Sequence, residues 1–296
     1  MLTRALSAIV GIVLFLILCF AGLEPFALGV AALTAIAAYE FTTAYGRWAT
    51  EMSPTSPTVP FQVRLNALLT WLGVLYPLGV YFMLNRWQQF AERPSRVLAL
   101  LMVLLVVLFI GVVRRAARTG QALGEARALH GVIGMAYIGL LFSSFILLRG
   151  LPGQVTVAPF SPAPGGAWLM LFVAVCVWAT DTFAYLIGRT VGKHKLAPRL
   201  SPGKTVEGAL GGLLGAVCAG MAFGHWIHLS LATGLAVGAI AGTVGQIGDL
   251  FESALKRELG IKDFGRLLPG HGGVLDRFDS LLFVAPCAFL YLVLAA

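Results

Sequence analysis

Chemistry-bearing residues crowd into two stretches of a 296-residue chain that is otherwise 58% hydrophobic and only 11% charged. The later one holds Asp249, Glu252, Ser253, Lys256 and Arg257, then Lys262, Asp263 and Arg266, then Gly270-His271-Gly272-Gly273, Asp276, Arg277 and Asp279. At helical spacing Asp249, Glu252, Ser253 and Lys256 share one face. Asp276 and Asp279 lie one turn apart, near the start of the last apolar run. Carboxylates at a helix N-terminus offset the macrodipole, but capping one helix does not explain Asp249, Asp263, Asp276 and Asp279 interleaved with five cations. Carboxylates among cations suit Mg²⁺ bridging a polyphosphate, because Mg²⁺ takes few protein oxygens and lets substrate phosphates supply the rest.

The earlier stretch, residues 188–208, reads GRTVGKHKLAPRLSPGKTVEG. Its glycines let backbone N–H groups approach an anion, its lysines add point charges, and the next helix start adds a dipole. Gly203-Lys204-Thr205 resembles the end of a nucleotide-binding P-loop, but that motif needs glycine at 198, where this chain has Pro198, and a preceding strand, which the sequence does not predict. Glu207 is spaced for a local ion pair with Lys204. Just upstream, Asp181 interrupts an apolar run, an expensive position in lipid unless it faces a partner, a wet cavity or a metal.

These residues must be positioned by membrane-spanning helices. Mean hydropathy is +0.87, and apolar runs of about 20 residues, enough to cross ~30 Å of hydrocarbon, fall near 5–23, 26–45, 66–84, 97–113, 131–148, 168–187, 207–225, 229–248 and 279–295. The expected fold is therefore all-α, a polytopic integral membrane protein of about nine transmembrane helices. Of 21 Lys and Arg, only Arg86, Arg93, Arg96 and Arg149 fall in alternate loops when the N-terminus is cytoplasmic. The positive-inside rule then sets the C-terminus outside. The same bias, with attraction to anionic lipid, accounts for the net charge of +8. No basic, aromatic-interleaved soluble patch points to nucleic acid.

Most of the 13 acidic residues follow residue 168. The expected organisation is an N-terminal scaffold of about five spans over 1–167 and a catalytic region of about four spans over 168–296, with cytoplasmic loops 188–206 and 249–278. The first span reads as an uncleaved signal anchor, since no small-x-small cleavage site follows it. Cys19, Cys176, Cys218 and Cys287 lie singly inside spans, without metal or redox spacing. Gly131, Gly134, Gly139, Gly208, Gly211, Gly212 and Gly215 recur at spacings that allow close helix approach in lipid.

The pattern Ser253, Lys256, Arg257, Lys262, Asp263, Pro269, His271, Gly272, Gly273, Asp276, Arg277, Asp279 closely resembles the signature of the phosphatidate cytidylyltransferases, or CDP-diacylglycerol synthases. Asp181, Gly188-Arg189, Gly192-Lys193 and residues 201–208 resemble that family's second motif block. The resemblance implies attack of the phosphate of phosphatidic acid on the α-phosphorus of CTP, giving CDP-diacylglycerol and pyrophosphate. It further implies Mg²⁺, in a two-metal arrangement, and a homodimer. CTP arrives from the cytoplasm and phosphatidic acid lies in the bilayer, so the expected site faces the cytoplasm from a bacterial-type inner membrane. On this basis Asp249 and Asp276 are expected to hold metal, with Asp279 as a further ligand or support. Asp181, Ser201, Lys204, Thr205 and Glu207 are expected at CTP and its phosphates. Lys256, Arg257, Lys262, Arg277 and His271 are expected on phosphate groups, beside Asp263. Two competing classes remain: a transporter of anionic substrates, and a CTP-using relative acting on another lipid, such as an archaeol phosphate cytidylyltransferase or a polyprenol kinase. The CDP-alcohol phosphotransferases are excluded because their D-x-x-D-G-x-x-A-R pattern is absent.

Overall fold

The computed structural model describes residues 2–52, 55–86, 92–119, 129–155, 163–267, 270 and 272–295. Helices run α1 (Leu2–Ala21), α2 (Leu23–Met52), α3 (Val59–Leu72), α4 (Leu75–Arg86), α5 (Glu92–Thr119), α6 (Leu129–Gly134), α7 (Leu141–Arg149), α8 (Gly165–Val191), α9 (Val206–Trp226), α10 (Leu231–Ile240), α11 (Gln246–Glu258) and α12 (Leu275–Ala295). The chain is a polytopic helical membrane protein. Among the described residues, eight helices are long and apolar enough to cross a bilayer, with α3–α4, α6–α7 and α10–α11 each acting as one span. The first expected span is a shorter apolar helix, Leu6–Ala21.

Local sequence explains the breaks. Gly22, at φ +126°, turns the chain between α1 and α2. The α3–α4 span is interrupted at Gly73, whose N–H bonds Thr70 O at 3.0 Å. Single π-type turns, Met135–Leu140 and Ala241–Gly245, join α6 to α7 and α10 to α11. The bilayer-facing sides are leucine-rich: Leu100, Leu104 and Leu108 stand exposed along one face of α5.

Among the described residues, two small antiparallel strand pairs depart from the all-helical expectation: β1 (Gln154–Val155) with β2 (Ala163–Pro164), and the hairpin of β3 (Lys195–Ala197) with β4 (Ser201–Thr205). The second carries Lys204. A strand, β3, therefore does precede position 198, contrary to the sequence expectation, but Ser201–Thr205 pair with it as β4 instead of forming a loop, and Pro198 still stands where a P-loop needs glycine.

The helix-spaced glycines are packing positions. At Gly212 of α9, an added Cβ would lie 2.8 Å from Thr180 O and 3.0 Å from Ala184 Cβ of α8. Helices α8 and α9 thus pack backbone against backbone, holding Asp181 beside the hairpin that precedes α9. Beneath the charged region, Phe109 of α5 stacks on Phe251 of α11 at 4.2 Å between ring centroids, and Tyr137 and Phe283 of α12 close the cluster. This buried aromatic floor fixes α11 and α12 side by side.

Candidate active site

The β3–β4 hairpin is held by Glu207, in the first turn of α9. Its carboxylate accepts from Lys193 N at 3.0 Å and His194 N at 3.2 Å, and meets His194 Nδ1 at 2.5 Å. The local pair with Lys204 expected from spacing does not form. Strand alternation from Thr205 and the turn into α9 send Glu207 back to the hairpin base and Lys204 elsewhere. Thr205 is the N-cap of α9, its Oγ1 accepting from Gly208 N at 3.1 Å. Its hydroxyl therefore has a structural duty beside any ligand contact.

Lys204 reaches α11, where its Nζ lies 2.6 Å from Asp249 Oδ2. A second tie joins the same elements: Arg257 Nε donates to Leu200 O, in the hairpin turn, at 3.1 Å. The two charged stretches thus form one surface.

Two turns further along the same face of α11, Lys256 Nζ lies 2.9 Å from both Glu252 Oε1 and Asp276 Oδ1. Asp276, in the first turn of α12, also accepts on Oδ2 from Phe264 N at 2.9 Å and Gly273 N at 2.8 Å. One carboxylate therefore gathers α11, the 261–267 loop and the start of α12. The loop turns at Gly270 (φ +77°) and Gly272 (φ +84°), conformations that favour glycine. Ser253 Oγ stands 3.4 Å from Asp249 Oδ1, a long contact that leaves this oxygen lightly engaged. Asp279 Oδ1 accepts from Ser280 N at 2.7 Å, and its carboxyl group lies within the electrostatic reach of Asp249 and Glu252. Asp181 of α8 lies within the electrostatic reach of Asp249, Asp279, Lys204 and Arg277.

The structure thus brings together Asp181, Lys204, Asp249, Glu252, Ser253, Lys256, Asp276 and Asp279. Arg277 is exposed at the start of α12, and Ser201 is half-buried on β4. Lys262 and Asp263 are exposed to solvent on the loop. His271 and Pro269 lie outside the described residues. Among the described residues, no group of three or more His, Cys, Asp or Glu is arranged to hold a metal ion.

Two further carboxylates belong to the site without a role assigned from sequence. Glu252 shares the charged face of α11 and is fully buried, at 0% exposure. Glu40 of α2 is 5% exposed, and its two oxygens accept from Val274 N and Leu275 N, each at 3.0 Å. The signal that could have found Glu40 is the one that marks Asp181, an acid inside a long apolar run.

A profile described as the cytidylyltransferase family matches residues 2–295. The chain is similar to a Bacillus subtilis protein named phosphatidate cytidylyltransferase, 33% identical over 302 residues covering 99% of this chain and 97% of the relative. Proteins of the same name from Staphylococcus epidermidis and Staphylococcus aureus are each 40% identical over 164 residues, or 55% of this chain. In those two the matched part spans only 58% of the relative's length.

Proposed function

The chain belongs to the cytidylyltransferase family, and from that membership we propose that it transfers the cytidylyl group of CTP to phosphatidic acid. A phosphate oxygen of phosphatidic acid attacks the α-phosphorus of CTP, and the bond from that phosphorus to the β-phosphate oxygen breaks. CDP-diacylglycerol forms and pyrophosphate leaves. The observation that carries this reading is the joining of the hairpin to α11 through Lys204 and Asp249 at 2.6 Å, which puts a phosphate-type loop against a carboxylate site at the end of membrane helices.

Phosphoryl and nucleotidyl transfers ask a protein mainly for position and charge stabilisation. Lys204, with Ser201 and the α9 N-terminus, would hold CTP phosphates, while Lys256, Arg257, Lys262, Arg277 and His271 would neutralise the pyrophosphate and the lipid phosphate. Lys204 and Lys256 now sit on carboxylates, so each has an ionic partner to exchange for a phosphate without crossing an apolar gap.

The oxygen-only donor set suits Mg²⁺, which is usually bound by one or two carboxylates plus substrate phosphates. Asp249 fits this role because its side chain is 33% exposed and, among the described residues, Oδ1 has only the long Ser253 contact. Asp276, the other expected ligand, would share its Oδ1 side with Lys256, and Asp279 would support the pair. When bound, Mg²⁺ would supply positive charge to the phosphate oxygens in the transition state. In this reading residues 168–296 carry the chemistry and 1–167 are chiefly scaffold. The working form is a homodimer in a bacterial-type inner membrane, with its site facing the cytoplasm.

The test is pyrophosphate release from detergent-purified protein given CTP, Mg²⁺ and phosphatidic acid. Release requiring all three is expected. Release with another lipid phosphate, but none with phosphatidic acid, would assign the chain to a different lipid substrate.

A further inference from the structure

We propose that Glu40, far from the signature residues in sequence, is a positioning residue for the site: it sets the start of α12 and thereby the aim of Asp276. The inference rests on the site reading above.

Glu40 is a charged group on the buried face of an apolar helix, flanked by Phe41, Ala44 and Tyr45. Such a group is costly unless paired, and its partners are main-chain donors of another element. Val274 N and Leu275 N each donate to a separate carboxylate oxygen at 3.0 Å. These N–H groups belong to the start of α12, where helix donors lack partners within the helix and the dipole favours an anion.

The loop is shaped around this carboxylate. An added Cβ at Gly273 would lie 2.5 Å from both Glu40 oxygens, and at Gly265 its three nearest atoms would all belong to Glu40. Neither glycine has a positive φ, so the absence of a side chain, not backbone conformation, is what Glu40 requires of them. Phe41, the next residue, packs its ring 6.0 Å from that of Phe264, and Phe264 N is one of the donors to Asp276. Helix α2 therefore holds the loop at two adjacent points.

The consequence for Asp276 is competition. Asp276 takes Gly273 N while Glu40 takes the next two N–H groups. Without Glu40, Val274 N and Leu275 N would be orphaned beside Asp276, the nearest remaining carboxylate of that helix turn. Asp276 would be drawn onto them and away from Lys256. Glu40 thus leaves Asp276 free to face the cation side.

The test uses the full-length protein in detergent, comparing wild type with Glu40→Ala, Glu40→Gln and Gly265→Ala. Amide hydrogen exchange of peptides covering 264–276 needs no substrate. It should speed up roughly tenfold or more in Glu40→Ala, with α8–α9 unchanged, and less in Glu40→Gln, whose single carbonyl oxygen can accept one of the two bonds. The Mg²⁺ concentration for half-maximal pyrophosphate release should rise roughly tenfold in Glu40→Ala. A folded Glu40→Ala protein with wild-type exchange, or with a lowered melting temperature but an unchanged Mg²⁺ requirement, would overturn the proposal. If Glu40→Ala yields no folded protein, Gly265→Ala decides. Displacing the intact carboxylate should reproduce the faster exchange and raised Mg²⁺ requirement, and wild-type behaviour in both overturns the proposal. Absence of CTP-dependent release from wild type would instead overturn the cytidylyl-transfer reading, leaving the exchange result to decide the role of Glu40.

Discussion

Lys204 Nζ and Asp249 Oδ2 lie 2.6 Å apart, joining the β3–β4 hairpin to the end of the α10–α11 span. The two side chains are 24% and 33% exposed, but the Lys204 ammonium itself is buried, so a phosphate or a cation that displaces either member must take its place as an ionic partner. In the proposed reading this pair separates when a phosphate and a metal bind.

Replacing Lys204 with alanine removes the cation and leaves Asp249 in place. CTP-dependent kcat/KM should fall by about 100-fold or more, the size expected for one lost charge-stabilising contact, with little change in melting temperature. Steady-state pyrophosphate release checks this, and wild-type kinetics would remove Lys204 from the site.

Asp276→Asn keeps the shape of the side chain, and its carbonyl oxygen can still take Phe264 N and Gly273 N. Its amide would then face the Lys256 ammonium. The protein should fold, with CTP-dependent product formation reduced to background. Full activity would exclude Asp276 from metal binding.

Lys256 is the shared ionic partner of two buried carboxylates, so Lys256→Met strands Glu252 and Asp276. Stability should drop by roughly 3–5 kcal/mol, the usual consequence of breaking a buried pair from one side. Adding Glu252→Gln should recover part of the loss. A double variant no more stable than Lys256→Met would show that Glu252 does not depend on this ammonium.

Chelation by EDTA should abolish activity, and Mg²⁺ should restore it. Helicity and melting temperature should hardly change, because Lys204, Lys256 and main-chain N–H groups are themselves partners of these carboxylates. Circular dichroism and an activity assay on one sample separate the two effects.

Gly212→Leu drives a side chain into the α8 backbone, with the Cβ alone only 2.8 Å from Thr180 O. Overpacking of this kind costs about 1–3 kcal/mol or prevents folding. Gly203 has nothing within 4 Å of an added Cβ, so Gly203→Ala should hold stability within roughly 0.5 kcal/mol. Thermal melts in detergent compare them directly.

The helical spans are legible in hydropathy, because apolar length in lipid is a local property of sequence. The residues from Ser253 to Asp279 make the family legible, because no packing need explains so many charges in a chain this apolar. Spacing misleads at Glu207, because separation along a chain does not say which neighbour a side chain meets once a strand intervenes. It also gives no hint of the hairpin, whose short strands and prolines carry little alternation.

Composition and short-range order are enough to specify a helical membrane protein, its cytidylyltransferase signature and the roster of charged residues. The pairings come from the packing of helices: Lys204 with Asp249, Lys256 between Glu252 and Asp276, and Glu40 at the head of α12. The physical reason is that a buried charge must be satisfied by whatever donor or counter-ion the packing of distant helices brings to it. That partner is chosen in space, where the order of residues along the chain no longer governs.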